Sequence, residues 1–225
     1  MIRNFEKSLS RIQQHTIKTP LQFSERLSQK YNAEIFLKRE DLQKTRSFKI
    51  RGSLNKILKN HNSMGSKEIV CASAGNHAQG VAYSCNLLGI KGKIFCPTTT
   101  PPQKLNRISH FGGDNIHLDR VGNNFNESLG IAQKYSNDTG GIFVHPYDDI
   151  DVIEGQATIG LEIYRDLPDV NTIIGCLGGG GLMSGVGSFF QDKKINIYAV
   201  EPFGAESMTL AYQSGGPIKM EKIDN

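Results

Sequence analysis

The stretch "TIIGCLGGGGLMSG" at residues 172–185 decides the fold, because it joins a strand to a helix through four consecutive glycines. Its first half is apolar and β-branched, as in a buried strand. After Gly178, Gly179, Gly180 and Gly181, a helical pattern begins at Leu182. Consecutive glycine N–H groups at a helix start can turn towards one anion, which is how proteins hold a phosphate group. We therefore predict a strand–loop–helix unit with a phosphate-binding loop.

The common nucleotide-binding loops do not fit this stretch. A P-loop ends in Gly-Lys-Ser/Thr, whereas Leu182 follows the glycines here. A GxGxxG fingerprint would need a third glycine where Met183 or Ser184 stands. A flexible turn is the plainer interpretation, but four glycines make a turn entropically expensive. We therefore favour a phosphate loop outside the nucleotide-binding motifs.

Strand-like and helical patterns alternate along the rest of the chain. Short β-rich runs occupy residues 34–40, 68–73, 92–97, 115–120, 172–177 and 195–200. Helical patterns occupy residues 53–61, 76–88, 101–111, 123–137, 152–165 and 182–192. This alternation predicts an α/β fold with parallel sheets that are covered on both faces.

Two polar, turn-rich seams suggest a division into domains, one at residues 61–67 and one at residues 145–151. If the chain leaves one sheet at the first seam and returns at the second, residues 67–146 form a small inserted α/β domain. Residues 1–66 and 147–225 then form a larger, discontinuous domain. A cleft between two such sheets is a natural ligand site.

Composition excludes several classes of protein. The 225 residues are 38% hydrophobic and 21% charged, as in an ordinary globular protein. No apolar run approaches the length of a membrane span, and the first residues lack an apolar signal-peptide core. We expect a cytoplasmic protein with no membrane partner. Four cysteines without a CxxC pair and six histidines without ligand spacing predict neither a disulfide framework nor a metal site.

Positive charge is concentrated at the front of the chain. Residues 1–60 hold 14 Lys or Arg residues against 5 Asp or Glu residues, although the whole chain carries only +4. A basic front can bind nucleic acid. These residues are interleaved with apolar ones, so we favour a solvated surface with a site for a small anionic molecule over nucleic-acid binding.

The stretch "TRSFKIRGS" at residues 45–53 places Lys49 between Phe48 and Ile50 where a helix is predicted to begin, with Ser47 as its N-cap. An ammonium group is disfavoured at a helix start, and burial beside Phe48 would disfavour it further. A lysine with a neutral fraction near pH 7 is a nucleophile towards carbonyls. A single lysine is more often a surface residue, so this interpretation needs support from elsewhere.

The stretch "SAGNHAQG" at residues 73–80 supplies that support, since it also lies between a predicted strand and a predicted helix. Its small residues and free N–H groups suit a carboxylate or a ring oxygen. Alone, Asn76 is as well explained as a helix cap, and His77 as a packed histidine. Together the amine, the phosphate loop and this loop match what pyridoxal phosphate and an amino acid require.

Three stretches, "KREDLQKTRSFKIRGS", "SAGNHAQGVA" and "GGGGLMSG", resemble the signatures of the threonine/serine dehydratases, which are fold type II (tryptophan synthase β-like) pyridoxal-phosphate enzymes. The resemblance runs from residues 19–21 to residues 199–202 and implies two three-layer parallel-sheet domains. It implies that Lys49 forms the Schiff base with the cofactor and that Phe48 packs near the ring. The remaining implied cofactor contacts are Asn76 to the ring oxygen and Gly178, Gly179, Gly180, Gly181 and Leu182 to the phosphate. The implied substrate-carboxylate loop is Ser73, Ala74, Gly75, Asn76 and His77.

The implied reaction is β-elimination: L-threonine gives 2-oxobutanoate and ammonia, a step of isoleucine biosynthesis, and L-serine gives pyruvate. Threonine and serine differ by one methyl group, which changes the binding free energy in a pocket by only about 1–3 kcal/mol. The sequence therefore leaves the preference between them open. Serine racemases resemble the second loop but have a serine acid/base where Ala74 stands. Their metal site is incomplete here, because Glu201 and Ala205 match but Ser207 stands where a carboxylate is expected. A homo-oligomer is also implied.

The chain ends at "GGPIKMEKIDN", sooner than the sequences it resembles. We therefore expect the C-terminal part of the large domain to be missing. The alternative to an active dehydratase is a truncated, catalytically impaired or non-enzymatic remnant. On this view the isolated chain associates, and residues 67–146 are its best-folded region.

Overall fold

The protein is described here by a computed structural model that covers residues 4–216 and residue 218. Eight strands and nine α-helices alternate along these residues. The strands are β1 (Leu21–Phe23), β2 (Phe36–Lys38), β3 (Ile69–Ala72), β4 (Gly92–Cys96), β5 (Ile116–Arg120), β6 (Ile142–Phe143), β7 (Thr172–Cys176) and β8 (Asn196–Val200). The helices are α1 (Phe5–Ile12), α2 (Glu25–Tyr31), α3 (Lys49–Asn60), α4 (Asn76–Leu88), α5 (Pro102–Gly112), α6 (Phe125–Thr139), α7 (Ile150–Asp166), α8 (Gly181–Phe190) and α9 (Ser207–Ser214).

A four-stranded parallel sheet with strand order β5-β4-β3-β6 forms one centre of the fold. Its strand β3 is fully buried because helices cover both faces. Ile69 and Cys71 point into a core shared with α4 and α5, whereas Val70 and Ala72 point into a second core shared with α6. A continuous apolar run is the expected signature of such a strand. The predicted parallel sheet covered on both faces is confirmed here.

Strands β7 and β8 form a separate two-stranded parallel sheet. Helices α7 and α8 pack on one face of it, around Ile173, Val186 and Phe190. On the other face Ile174 lies opposite Tyr198 in the register, and these side chains are 70% and 57% exposed. This sheet therefore presents an apolar face to solvent in the described part of the chain.

Several short elements were not predicted. The strand-like run at residues 34–40 contains β2, which pairs antiparallel with the unpredicted β1. Strands β1 and β6, which were not predicted, are only three and two residues long, too short for a periodic pattern to show. Helices α1, α2 and α9 were also missed; α1 buries Leu9 and Ile12 on one side only. The four-stranded sheet spans residues 69–143, but the division into two domains stays a prediction.

Most of the cysteines lie in the core. Cys71, Cys85 and Cys96 are buried, and none of the four forms a disulfide. Cys71 and Cys96 pack as small hydrophobes within β3 and β4. No helix in the described residues is long and apolar enough to cross a membrane.

Candidate active site

Lys49 is the first residue of α3, as the sequence suggested, but the cap differs from the prediction. Phe48 occupies the N-cap position in helical conformation, and no side chain caps the helix. The hydroxyl of Ser47 is buried without a hydrogen-bond partner, so the predicted Ser47 cap is wrong. The helix starts one residue later than a Ser47 cap would place it. This places Lys49 at the very beginning of α3.

The amine of Lys49 is buried, and burial lowers its pKa from an ordinary value of 10.5 to about 8. The nearby thiol of Cys176 opposes this shift. The Nζ atom donates a hydrogen bond to the carbonyl oxygen of Pro146 at 2.7 Å and lies 5.4 Å from the ring centre of Phe48. At pH 7 about a tenth of such amines are neutral. A neutral fraction of this size suits a nucleophilic amine, but the role of Lys49 stays a prediction.

A buried network of charges fixes the helix turn that carries Lys49. The guanidinium of Arg51 is fully buried and donates two hydrogen bonds each to the carboxylates of Glu40 and Glu162. Lys38 donates to the same Glu162 at 2.6 Å. Burial lowers the pKa of Arg51, but the hydrogen bonds to the two carboxylates outweigh it and leave the pKa raised. This network ties α3 to α7 and to the turn after β2. Sequence reasoning missed it because a lone arginine is usually a surface residue.

The loop before α4 is held by its own backbone and one hydroxyl. The Ser73 N–H donates to the Phe95 carbonyl in β4, and the Gly75 N–H donates to the Ser73 hydroxyl at 3.2 Å. Asn76 is the first residue of α4 and is exposed. The structure therefore places Asn76 at a helix start with its side chain open to solvent.

His77 is buried directly behind this loop. Its Nε2 atom hydrogen-bonds the Val144 carbonyl at 2.9 Å, so Nε2 carries the proton. Burial, with the charge of nearby Lys49, lowers the pKa of His77 to about 3. The ring is therefore neutral, and its Nδ1 atom is a buried acceptor with no protein partner among the described residues.

The glycine loop packs against a tyrosine. Gly180 is the N-cap of α8, with a φ of +88° that side chains other than glycine rarely adopt. A Cβ atom added to Gly179 would lie 2.4 Å from the ring of Tyr147, and one on Gly181 would lie 2.8 Å from the Tyr147 carbonyl oxygen. Gly178 has free space around it. Three of the four glycines are thus required by the packing or the backbone, and the first N–H groups of α8 stay free for a ligand.

An apolar cavity of about 230 Å³ lies between β7, α7 and α8. Phe48 and Leu182, two of the predicted cofactor residues, line it together with Cys176. Lys38 and Glu40 of the buried network also line it. The predicted residues thus divide: Lys49 and His77 lie near one another, Phe48 and Leu182 face the cavity, and Asn76 lies on the surface.

A buried lysine amine and a glycine loop at a helix start, which contact the neighbouring residues Pro146 and Tyr147, form an arrangement that suits a phosphorylated aldehyde. The sequence matches the family described as pyridoxal-phosphate dependent enzyme over residues 12–225, and the chain belongs to that family. Pyridoxal phosphate is the cofactor of this family, as the sequence motifs indicated.

Known proteins similar to the chain are dehydratases and racemases. A biosynthetic L-threonine dehydratase of Halalkalibacterium halodurans is 43% identical over 92% of the chain and 51% of its own length. The processed form of threonine deaminase isoform 2 from Solanum lycopersicum superposes with a TM-score of 0.87 at 38% identity, over 98% of this chain and 62% of that one. Maize serine racemase superposes with a TM-score of 0.90 at 30% identity, over 99% and 68%. The chain spans about half the length of the curated relatives it matches.

These comparisons confirm the family resemblance and the fold type II architecture inferred from the three motifs. The roles of the individual residues stay predictions. Sequence reasoning missed Pro146 and Tyr147, which contact Lys49 and the glycine loop. The signal that could have found them is the turn-rich stretch "HPYDDID", which was interpreted only as a domain seam.

Proposed function

We propose that this chain carries the cofactor site of a pyridoxal-phosphate dependent dehydratase, which converts L-threonine to 2-oxobutanoate and ammonia and L-serine to pyruvate and ammonia. The observation that carries this proposal is the amine of Lys49. Its lowered pKa gives it a neutral fraction near pH 7, it lies at the start of a helix, and the chain belongs to the pyridoxal-phosphate dependent enzymes.

The residues present fit the cofactor. The free N–H groups at the start of α8 suit its phosphate, and Gly178 leaves the loop open on one side. Phe48 and Leu182 supply apolar contact beside a cavity, and Asn76 at the start of α4 can donate to a ring oxygen. In this proposal Lys49 is the covalent attachment point.

The bound cofactor supplies an electron sink that stabilises negative charge at the substrate Cα. The substrate amino group would replace Lys49 in its covalent bond, and the freed, neutral amine of Lys49 would take the proton from Cα, since its pKa of about 8 suits a general base near neutral pH. The same group, once protonated, gives its proton to the hydroxyl leaving from Cβ. The dehydrated product then takes up water and releases ammonia. Water lost in the first stage is regained in the second, so the net products are the keto acid and ammonia.

The loop from Ser73 to His77 is proposed to receive the substrate carboxylate. Its Ala74 cannot move a proton, so chemistry on the second face of the cofactor lacks an acid or base. This favours elimination over the racemisation named for the maize relative. Glu201, one of the residues that match the metal site of serine racemases, caps the start of α9. Its carboxylate accepts hydrogen bonds from the N–H groups of Met208 and Thr209.

Three further proposals concern the setting of the site. We infer that residues 67–146 form a small domain and that 1–66 and 147–225 form a large one; the confinement of the four-stranded sheet to residues 69–143 supports this. The four free cysteines support a cytoplasmic location. The exposed apolar face of β7 and β8 supports assembly into a homo-oligomer.

The test is the visible absorption spectrum of the purified protein with added pyridoxal phosphate. A new band that Lys49→Ala abolishes, and that the exposed control Lys134→Ala retains, supports cofactor attachment at Lys49. Release of 2-oxobutanoate from L-threonine then tests the reaction. No band under any condition would contradict the proposal. A band without turnover would identify a cofactor-binding chain that lacks catalysis, which is the remnant alternative.

A further inference from the structure

The segment from Val144 to Asp149, which joins β6 to α7, contacts all three sequence motifs. The Val144 carbonyl accepts from His77 in the second motif. The Pro146 carbonyl accepts from Lys49 in the first. Tyr147 packs against Gly179 and Gly181 in the third. We call residues 144–149 the crossing segment. Its contacts therefore connect the three motifs.

The side chain of His145 shapes the crossing segment from within. Its Nδ1 atom accepts hydrogen bonds from the N–H groups of Asp148 at 2.8 Å and Tyr147 at 3.4 Å. Its ring meets the ring of Tyr147 edge to face, with the centres 4.7 Å apart. Because Nδ1 accepts both bonds, it carries no proton. The imidazole of His145 thus closes a tight turn of the backbone over residues 145–148. Pro146 and Tyr147 lie within this turn.

We propose that His145 is a positioning residue for the cofactor site, because its Nδ1 acceptor fixes the turn that sets the Pro146 carbonyl against Lys49 and the Tyr147 ring against Gly179. The inference rests on the proposed function only for the identity of the ligand. The positioning of the Lys49 amine is a property of the chain itself and can be measured without cofactor.

Loss of the Nδ1 acceptor has two consequences. The turn loses both internal hydrogen bonds, so the Pro146 carbonyl no longer stays over the Lys49 amine, and water reaches that amine. Burial is the main cause of the lowered Lys49 pKa, so the pKa rises towards its ordinary value. The charged and titratable groups facing Lys49 are Cys176, His77 and His145. At the glycine loop, Tyr147 no longer supports Gly179, and phosphate binding weakens.

The test compares His145→Ala, His145→Asn and His145→Gln with the wild type. The Oδ1 atom of asparagine falls near the position of Nδ1 and can accept the same bonds, whereas the longer glutamine places its oxygen beyond them. His110→Ala, at an exposed histidine on α5, is the matched control. The first measurement is the pH dependence with which an amine reagent labels Lys49 in cofactor-free protein, read by peptide mass spectrometry. The second is the dissociation constant for pyridoxal phosphate.

We expect His145→Ala and His145→Gln to raise the labelling pKa of Lys49 by about one unit, a tenfold loss of neutral amine at pH 7. We expect both to weaken pyridoxal phosphate binding about tenfold, as for the loss of two hydrogen bonds. His145→Asn and His110→Ala should stay near wild type. If His145→Ala does not fold, the comparison of His145→Asn with His145→Gln decides whether the Nδ1 acceptor positions Lys49.

Two results overturn the inference: an unchanged labelling pKa in both the Ala and Gln variants, or an Asn variant as impaired as the Gln variant. Absence of cofactor binding by the wild type would contradict the proposed function alone. In that case the labelling pKa of Lys49 still decides whether His145 positions the amine.

Discussion

The Lys49 amine and the Pro146 carbonyl oxygen lie 2.7 Å apart although 97 positions separate the two residues in the chain. The contact brings the start of α3 against the segment that leads from β6 into α7. A backbone carbonyl can hold an ammonium group but cannot neutralise it. The carbonyl carries no negative charge to offset burial, so burial keeps the pKa of Lys49 low, while the hydrogen bond to Pro146 fixes where the amine points.

Replacing Lys49 should stabilise the protein. The pKa of Lys49 is about 8 when folded against an ordinary 10.5, so between these pH values the unfolded chain binds more protons and stability rises with pH. Below pH 8 the cost of burying the charged amine is fully present. Lys49→Met should therefore raise the free energy of unfolding at pH 7 by about 1–2 kcal/mol, less than the full shift implies because the bond to Pro146 is lost.

The measurement is denaturant unfolding of both proteins at pH 7 and near pH 10.5. The advantage of Lys49→Met should shrink as the pH rises through this window. A variant less stable than wild type at pH 7, or an advantage independent of pH, would show that the buried charge costs nothing.

Breaking the buried charge network should lower the free energy of unfolding. Arg51→Met leaves the carboxylate of Glu40 buried without its cation, so we expect a loss of about 3–5 kcal/mol in the free energy of unfolding. Lys18→Met provides the matched comparison, because Lys18 is 62% exposed in its ion pair with Asp166. That substitution should cost less than about 1 kcal/mol. Equal losses for the two variants, measured by urea unfolding, would contradict a structural role for the buried network.

Much of this fold could be predicted from the sequence, because its longer elements carry visible periodicity. Helix α4 has the bounds that the pattern predicted, and β4 ends one residue earlier than predicted. The glycine loop could also be placed, since its strand and helix flank it directly. These features depend on local sequence, and local sequence is what such patterns report.

The contacts between the motifs could not be predicted. Pro146 acts through a backbone carbonyl, which every residue possesses, and Tyr147 acts by packing on glycines far along the chain. Arg51 is fully buried only because two carboxylates from distant elements meet it. The predicted Ser47 cap also failed, since Phe48 takes the N-cap position and the Ser47 hydroxyl is buried without a partner. Tertiary packing decides each of these.

Two neighbouring glycines should respond differently to alanine. In Gly179→Ala the new Cβ would lie 2.4 Å from the Tyr147 ring, whereas in Gly178→Ala it meets nothing within 4 Å. We expect Gly179→Ala to lower the melting temperature and to cost about 1–3 kcal/mol, as overpacking does. Gly178→Ala should leave the melting temperature within error of wild type. The reverse order, measured by calorimetry, would show that Tyr147 does not lie against the loop in solution.

Ala74 should determine the balance between elimination and racemisation if the proposed dehydratase activity is present. An alanine at this position cannot give a proton to the second face of the substrate Cα. We expect L-serine to yield pyruvate without D-serine, and Ala74→Ser to add measurable D-serine. Chiral chromatography of the products checks both, with Ala74→Val as a control that adds bulk without a proton donor. Substantial D-serine from the wild type would mean that another residue serves the second face.

Backbone amides should exchange at different rates in the two parallel sheets. Strands β3 and β4 lie between covered faces, with Ile69, Cys71 and Ile94 fully buried. Strands β7 and β8 expose one apolar face, marked by Ile174 and Tyr198. Regions with fewer buried contacts open at lower free energy. We therefore expect exchange to be at least about tenfold slower in β3 and β4 than in β7 and β8.

The same experiment at rising protein concentration tests what the exposed face does. If copies associate through β7 and β8, protection there should increase with concentration, because association stabilises by mass action, while protection in β3 and β4 stays constant. Tyr198→Lys, which places a charge on the exposed face, should remove the concentration dependence; Tyr212→Lys, at a side chain 90% exposed on α9, is the control. If both sheets are equally and strongly protected in a monomer, the exposed apolar face does not lower the local stability of β7 and β8.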